Sequence, residues 1–411
     1  MMKKTPYIII CFAALLTLLC ACGEDRWPAY YEYTADNLWI DGVMREHYLW
    51  VEDMPASKEL TSNYFATNDA FLSAVKNEED SYTSLDSLTT IKADYGMTYN
   101  MLKLSDEDVY AGLVTYVEPG SPAGIAGIER GTWIMEVDGA GITSENSSKV
   151  LKDGSDHLLT MGRYTVVTDE TGEETSYISA YAYAPLGEAA VYERLDVPYR
   201  NVLTVGSHTV GYLLCNRFTA ESADIIAASN EFANAGVTDV VLDLRYNSNS
   251  TLEGMQLLAS VVAPSSALGN TLATLKYSSK AKPEWPTTLI LSTPQGGSNL
   301  NLSTLYVLTS SNTKGLPEHL INCLKSYMTV VVVGSTTAGE AYATEVFDNT
   351  EFGLQLRVVT GVVYDANGTE AEFTGFTPDV RVSDTSSPSA VLPFGNAGEA
   401  LLAAALQQMA E

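Results

Sequence analysis

Basic residues are scarce in this chain of 411 residues: 23 lysines and arginines stand against 51 aspartates and glutamates, a net charge of −28. A surface of that sign repels phosphate backbones and anionic headgroups, which argues against nucleic acid as a partner and against membrane binding through charge. Histidine is scarcer still. His47, His157, His208 and His319 are scattered, and neither Cys215 nor Cys323 has a metal-ligand neighbour at useful spacing. No metal site is legible, and nothing calls for a cofactor. Long apolar runs are missing apart from Tyr7 to Leu19, which is too short to span a membrane. Internal repeats and low-complexity tracts are absent as well.

That one apolar run follows Lys3 and Lys4, as in an export signal, and ends in Leu19-Cys20-Ala21-Cys22. The ending resembles the bacterial lipobox, whose last cysteine is diacylated and becomes the new N-terminus. The resemblance implies lipidation at Cys22 and a lipid-anchored protein of the bacterial cell envelope, at the outer membrane, on its periplasmic or its surface side. Glu24-Asp25 loosely resembles a surface-export signal of Bacteroidetes lipoproteins. Processing leaves Cys215 and Cys323 as the remaining thiols, both in apolar surroundings. They read as two buried free thiols, with a disulfide between them as the alternative.

The mature chain of about 390 residues is long enough for several domains. After a signal segment at 1–22, residues 23–83 read as a tether and a small helical region. Ile40, Val43, Met44, His47 and Val51 recur at helical spacing until Pro55, and a second helix is expected around Asp69 to Lys76. Residues 84–186 alternate like strands and are rich in turns. From 200 to 411 apolar strands (Val210 to Cys215, Val240 to Leu244, Leu305 to Leu308, Thr329 to Val333) alternate with helices such as Ala220 to Ala235. That pattern predicts a multidomain fold of the α+β and α/β classes, with a βαβ-rich core of mixed sheet.

Within 84–186, the stretch Val114 to Gly139 carries a strand, a Gly120-Ser121-Pro122-Ala123 turn into a short helix, Arg130-Gly131, and a strand closed by Asp138-Gly139. It resembles a PDZ domain, which implies binding of extended or C-terminal peptide segments by β-augmentation, with a carboxylate loop near Tyr95, Gly96 and Met97. The segment Trp39 to Pro55, the strand Val210 to Phe218, Val240-Val-Leu-Asp-Leu-Arg-Tyr-Asn247, Val307 to Thr313, and Gly375-Phe-Thr-Pro-Asp379 together resemble the tail-specific (C-terminal processing) serine peptidases of Bacteroidetes lipoprotein type. The resemblance covers nearly the whole mature chain.

That family works through a Ser–Lys dyad, a neutral lysine taking the serine proton while backbone amides hold the oxyanion. Its nucleophile turn reads Thr-Ala-Ser-Ala-Ser-Glu, and a Gly-Lys pair later supplies the base. Here the turn reads Thr313-Lys314-Gly315-Leu316-Pro317-Glu318, so the resemblance puts Gly315 at the nucleophile position. Continuing in register, Glu340 follows Gly339 at the base position, and Thr344 holds the place of the residue that orients the lysine. A third departure lies in Asn247-Ser248-Asn249-Ser250, where the family continues with glycines that help form the oxyanion hole. Glycine has no attacking oxygen, so the dyad reads as lost. Ser310, Ser311 and Lys314 are the candidates for a displaced dyad, with His319 as a further base; the plainer expectation is that the serines cap the turn, Lys314 is solvated and His319 lies on a helix surface. The implied function is a non-catalytic pseudopeptidase that binds peptide segments. The alternatives are an active serine peptidase with displaced residues, or a structural subunit of an envelope assembly.

Overall fold

The computed structural model describes residues 34–56, 65, 67–88, 93–105, 107–247, 250–371, 374–383 and 391–409. The expected signal segment and Cys22 lie outside the described residues. No helix among the described residues is long and apolar enough to cross a membrane.

The chain divides into two compact units. The first comprises residues 1–88 with 346–358. Its helix α1 (Ala35–His47) buries Ile40, Met44 and His47, the apolar stripe that periodicity predicted. Helix α2 (Asn68–Val75) is capped by Thr67, whose hydroxyl accepts from Ala70 N at 3.1 Å. Between them Tyr48 donates to Asp80 at 2.8 Å and accepts from Asn77 N at 2.9 Å, fixing the turn after α2. Strand β1 (Ser84–Ser87) pairs antiparallel with residues 354–357, and His47 stacks on Phe347 with ring centroids 4.5 Å apart.

The second unit holds residues 89–345 and 359–411. It opens with an antiparallel sheet of β2 (Met97–Ser105), β3 (Val109–Val117), β4 (Trp133–Val137), β5 (Ala140–Gly141), β6 (His157–Thr168) and β7 (Glu174–Leu186), in the order β2-β3-β4-β6-β7 with β5 beside β4. A four-residue helix α3 (Pro122–Ile125) links β3 to β4. Ser121 caps it, accepting from Gly124 N at 3.2 Å, and Pro122 suits its first turn. Asp138 and Gly139 take φ of 55° and 76°, the left-handed pair that a tight hairpin requires.

The remainder is a six-stranded sheet in the order β17-β14-β13-β10-β9-β8. Its members are β8 (Tyr199–Val205), β9 (His208–Leu214), β10 (Asp239–Asp243), β13 (Thr304–Thr309), β14 (Thr329–Gly334) and β17 (Val380–Arg381). All neighbours run parallel except β8 against β9. Three helices, α4 (Ala223–Asn234), α5 (Leu252–Val262) and α6 (Leu316–Leu324), pack with Leu213, Leu242, Val307 and Val332 on one face. Helix α7 (Ala400–Met409) covers Tyr212, Val241, Leu308 and Val333 on the other. Burial on both faces is why these strands read as continuous apolar runs rather than as alternating ones. Strands β11 (Thr271–Tyr277) and β12 (Thr288–Ile290) pair antiparallel beside this core, β11 also with Gly361 to Asp365 of β16 (Leu354–Asp365); β15 (Tyr342–Asn349) precedes β16.

Candidate functional site

Three chain segments leave the carboxyl ends of β10, β13 and β14 and carry the candidate residues. In parallel sheets this end is where strand order and loops leave room for a ligand. After β13, the turn Ser310–Gly315 is closed by its own side chains. Ser310 N donates to the Thr313 hydroxyl at 3.0 Å, and that hydroxyl donates to Leu244 O, also at 3.0 Å. The Ser310 hydroxyl donates to Arg245 O at 2.9 Å and accepts from Asn312 N at 3.1 Å. Both hydroxyls are therefore engaged in tying the turn to the end of β10. Ser311 and Lys314 are exposed.

Gly315 ends the turn and caps α6 with φ 70° and ψ −123°, a conformation that strains any residue with a Cβ. Glu318, in the first turn of α6, is 1 % exposed and reaches back over it. Its carboxylate accepts from Gly315 N at 2.9 Å, Gly339 N at 2.7 Å, Glu340 N at 2.8 Å and the Thr337 hydroxyl. Ala338 N adds a bond to Thr313 O at 2.9 Å. The turn after β13 and the segment after β14 are thereby clamped together. The clamp sets Gly315 opposite Glu340: a Cβ on Gly315 would lie 3.7 Å from the Glu340 carboxyl carbon and 3.8 and 3.9 Å from its oxygens. Thr344 meets Glu340 Oε1 at 3.4 Å. Gly315, Glu340 and Thr344 thus share one site, although they are spread over thirty residues of sequence.

Chemically this site is poor in reactive groups. Gly315 offers no hydroxyl, Glu340 offers a carboxylate, and the Gly315 N–H is bound to Glu318. Asn247 is buried and structural: its Nδ2 donates to Cys215 O at 2.9 Å, and its Oδ1 accepts from the Ser250 hydroxyl at 2.8 Å, which in turn accepts from Phe218 N at 3.1 Å. Ser248 and Asn249 lie outside the described residues.

His319 departs from expectation. It is 1 % exposed rather than on a helix surface, because α6 is covered on nearly every side. Burial pushes its imidazole down to about 4, opposed only by the Tyr342 backbone. Cys215 and Cys323 are buried and unpaired. Burial pushes the Cys323 thiol up to about 12.

Tyr95, Gly96 and Met97 belong to the antiparallel sheet module. The Tyr95 hydroxyl donates to Ser155 O at 2.5 Å, and burial pushes it up to about 12. Gly96 has φ 74°, and a Cβ there would fall 2.1 Å from that of Ser121, so only glycine fits. Its N–H donates to Asp94 at 2.7 Å, and Met97 is paired with Val117 in the β2–β3 ladder.

Two features escaped the sequence reading. One is the role of Glu318, for which Gly315-x-x-Glu318 with Pro317 between was a helix-start signal. The other is a buried charge network joining the antiparallel module to the parallel core. Glu399 accepts from Arg130 at 3.0 Å and from Arg245 at 2.8 Å, while Arg245 also holds Asp243 at 2.6 Å. Arg130 and Glu399 are so distant in sequence that no local pattern links them. Beside this network a cleft of about 210 Å³ is lined by Thr98, Tyr116, Glu118, Arg194, Asn216 and Tyr246.

A sequence model described as Peptidase family S41 matches residues 209–382, and one described as the Peptidase S41 N-terminal domain matches residues 35–84. The structure superposes on that of an S41 protease from Bacteroides fragilis NCTC 9343 with a TM-score of 0.83 and 37 % identity, covering 90 % of this chain and 97 % of that one. This chain belongs to peptidase family S41. The tail-specific resemblance holds at that level, and the mixed α/β multidomain architecture is that of the S41 relative. A photosystem II D1 C-terminal processing protease matches at 16 % identity and TM-score 0.46, over 89 % of this chain and 95 % of its own. Mature CPAF complexed with lactacystin matches at 12 % identity and TM-score 0.43, over 91 % and 96 %. No curated protein sequence matches. Family S41 acts on peptides and proteins, so the S41 core frames the chemistry to which Gly315 and Glu340 must be compared.

Proposed function

We propose that this S41 member is a pseudopeptidase, which holds extended or C-terminal peptide segments and does not cut them. The observation that carries the reading is the Gly315–Glu340 pair. At the two positions where the resemblance requires a serine and a lysine, a glycine at the start of α6 faces a carboxylate, with a Cβ-to-carboxyl separation of 3.7 Å. No nucleophile stands there, and a carboxylate without a hydroxyl beside it has nothing to deprotonate. Of the replacement candidates, Ser310 has its proton on Arg245 O and its oxygen on Asn312 N. An attacking oxygen must also sit within a few tenths of an ångström of its target line, which a turn staple does not supply. In this reading the PDZ-like module of residues 84–186 contributes the grip on the peptide, and a diacylated Cys22 tethers the protein to the bacterial cell envelope.

Casein digestion by the ectodomain from Gly23 onward tests the reading, with fragments followed by mass spectrometry beside the double variant Gly315→Ser, Glu340→Lys. Silence of the natural protein is the expected result, and cleavage by the double variant would tie the two positions directly to the family's dyad. Cleavage by the natural protein that disappears on Ser310→Ala or Ser311→Ala would overturn it.

A further inference from the structure

The Glu340 carboxylate is buried without a partner of opposite charge. The residue is 8 % exposed, its N–H is held by Glu318, and its Oε1 meets only the Thr344 hydroxyl, at a long 3.4 Å. Its Oε2 receives no hydrogen bond, and no lysine, arginine or histidine among the described residues pairs with it. Glu318, which accepts from the Glu340 N–H, adds a second buried carboxylate whose four donors are all neutral. Other buried carboxylates in this unit are saturated, Asp243 and Glu399 by arginines and Glu118 and Asp365 by neutral donors to both of their oxygens. One oxygen of this nearly buried carboxylate is thus left without a donor on the side that faces Gly315.

Access and size follow from the glycine opposite. Gly315 is partly exposed, carries no side chain, and leaves the carboxyl face in ordinary contact distance of where a Cβ would stand. The gap suits a compact donor. A primary ammonium carries its donors on a point-like head and can meet the Oε2 that lacks one; the broad planar guanidinium needs a wider slot.

Resting on the peptide-holding reading above, we infer that the Gly315–Glu340 site receives a primary ammonium group of the bound peptide, from a lysine side chain or from the N-terminal amine. Glu340 supplies the charge and the acceptor oxygen, and Gly315 the open side. The site then selects peptides by a positive charge.

Isothermal titration of the ectodomain from Gly23 onward tests this with three alanine-based peptides: end-capped with one central lysine, end-capped with norleucine in its place, and uncapped at the N-terminus without lysine. The lysine or the free-amine peptide is expected to bind at least tenfold tighter than the norleucine peptide, and whichever does so identifies the source of the ammonium. Glu340→Gln is expected to erase that difference. Equal affinity for all three, or an unchanged preference in Glu340→Gln, would overturn the ammonium site and leave the peptide-holding reading intact. Absence of binding by every peptide would overturn both. Should Glu340→Gln fail to fold, the comparison of lysine with norleucine on the natural protein decides alone.

Discussion

Removing the Glu318 carboxylate should loosen the whole turn that carries Gly315 and Glu340, and the size of the effect follows from its bonds. Glu318→Ala strands four donors: the N–H groups of Gly315, Gly339 and Glu340 and the Thr337 hydroxyl. The Thr337 hydroxyl can rotate, and the partly exposed Gly315 N–H can turn to water. The N–H groups of Gly339 and Glu340 belong to buried residues and have no such recourse. At about 1–3 kcal/mol for each buried donor left unmade, the two together cost about 3 kcal/mol or somewhat more. Loss of a negative charge at the start of α6 adds up to about 1 kcal/mol. Spread over a unit of this size, the change corresponds to a melting temperature lower by about 6–10 °C. Glu318→Gln should recover little, since its amide end would present a donor to donors. Calorimetric scans of the three proteins at neutral pH measure this. A Glu318→Ala protein that melts within about 1 °C of the natural one would refute the reasoning, because it would mean that the clamp contributes nothing beyond what water supplies.

Glu399→Ala should be comparably severe, for it leaves the buried guanidinium groups of Arg130 and Arg245 without their shared acceptor; about 3–5 kcal/mol is expected from the denaturant midpoint, and a loss under about 1 kcal/mol would show the network to be solvated. His319 makes stability depend on pH. Its folded-state value, about 4, lies below the ordinary 6.5, so the unfolded chain binds the proton more readily, and stability falls as pH drops from 6.5 towards 4. The full difference is about 3 kcal/mol at 1.36 kcal/mol per unit. His319→Leu should remove that part of the acid sensitivity, seen as a smaller gap in unfolding free energy between pH 7 and pH 4.5; an unchanged gap would refute the assignment.

Much of this architecture was legible because its signals are local. The strands from Val210, Val240, Leu305 and Thr329 are apolar runs bounded by turn residues, and the observed elements His208–Leu214, Asp239–Asp243, Thr304–Thr309 and Thr329–Gly334 start or stop within two residues of them. The α1 stripe and the Pro122 helix start were equally local. The juxtaposition of Gly315 with Glu340 followed from the family's turn pattern, not from any physical signal in the residues themselves. What stayed hidden depends on distant partners. His319 looked like a surface residue because a polar side chain beside Glu318 suggests solvent, whereas α6 is wrapped by the sheet and its neighbours. The Arg130–Glu399–Arg245 network joins three positions with no shared periodicity. Membership of residues 346–358 in the first unit is also a tertiary fact, since the stretch is separated from α1 by most of the chain.

The Glu318 carboxylate bonds to three main-chain N–H groups and one hydroxyl, and main-chain donors are indifferent to the side chain their residue carries. Frame and contents are therefore decoupled. The loop keeps its shape whether the residues it displays can react or not, so shape alone is silent about turnover. The same indifference makes position 340 exchangeable without rewriting the scaffold, whereas a side chain at position 315 must also bear the strain of that residue's positive φ.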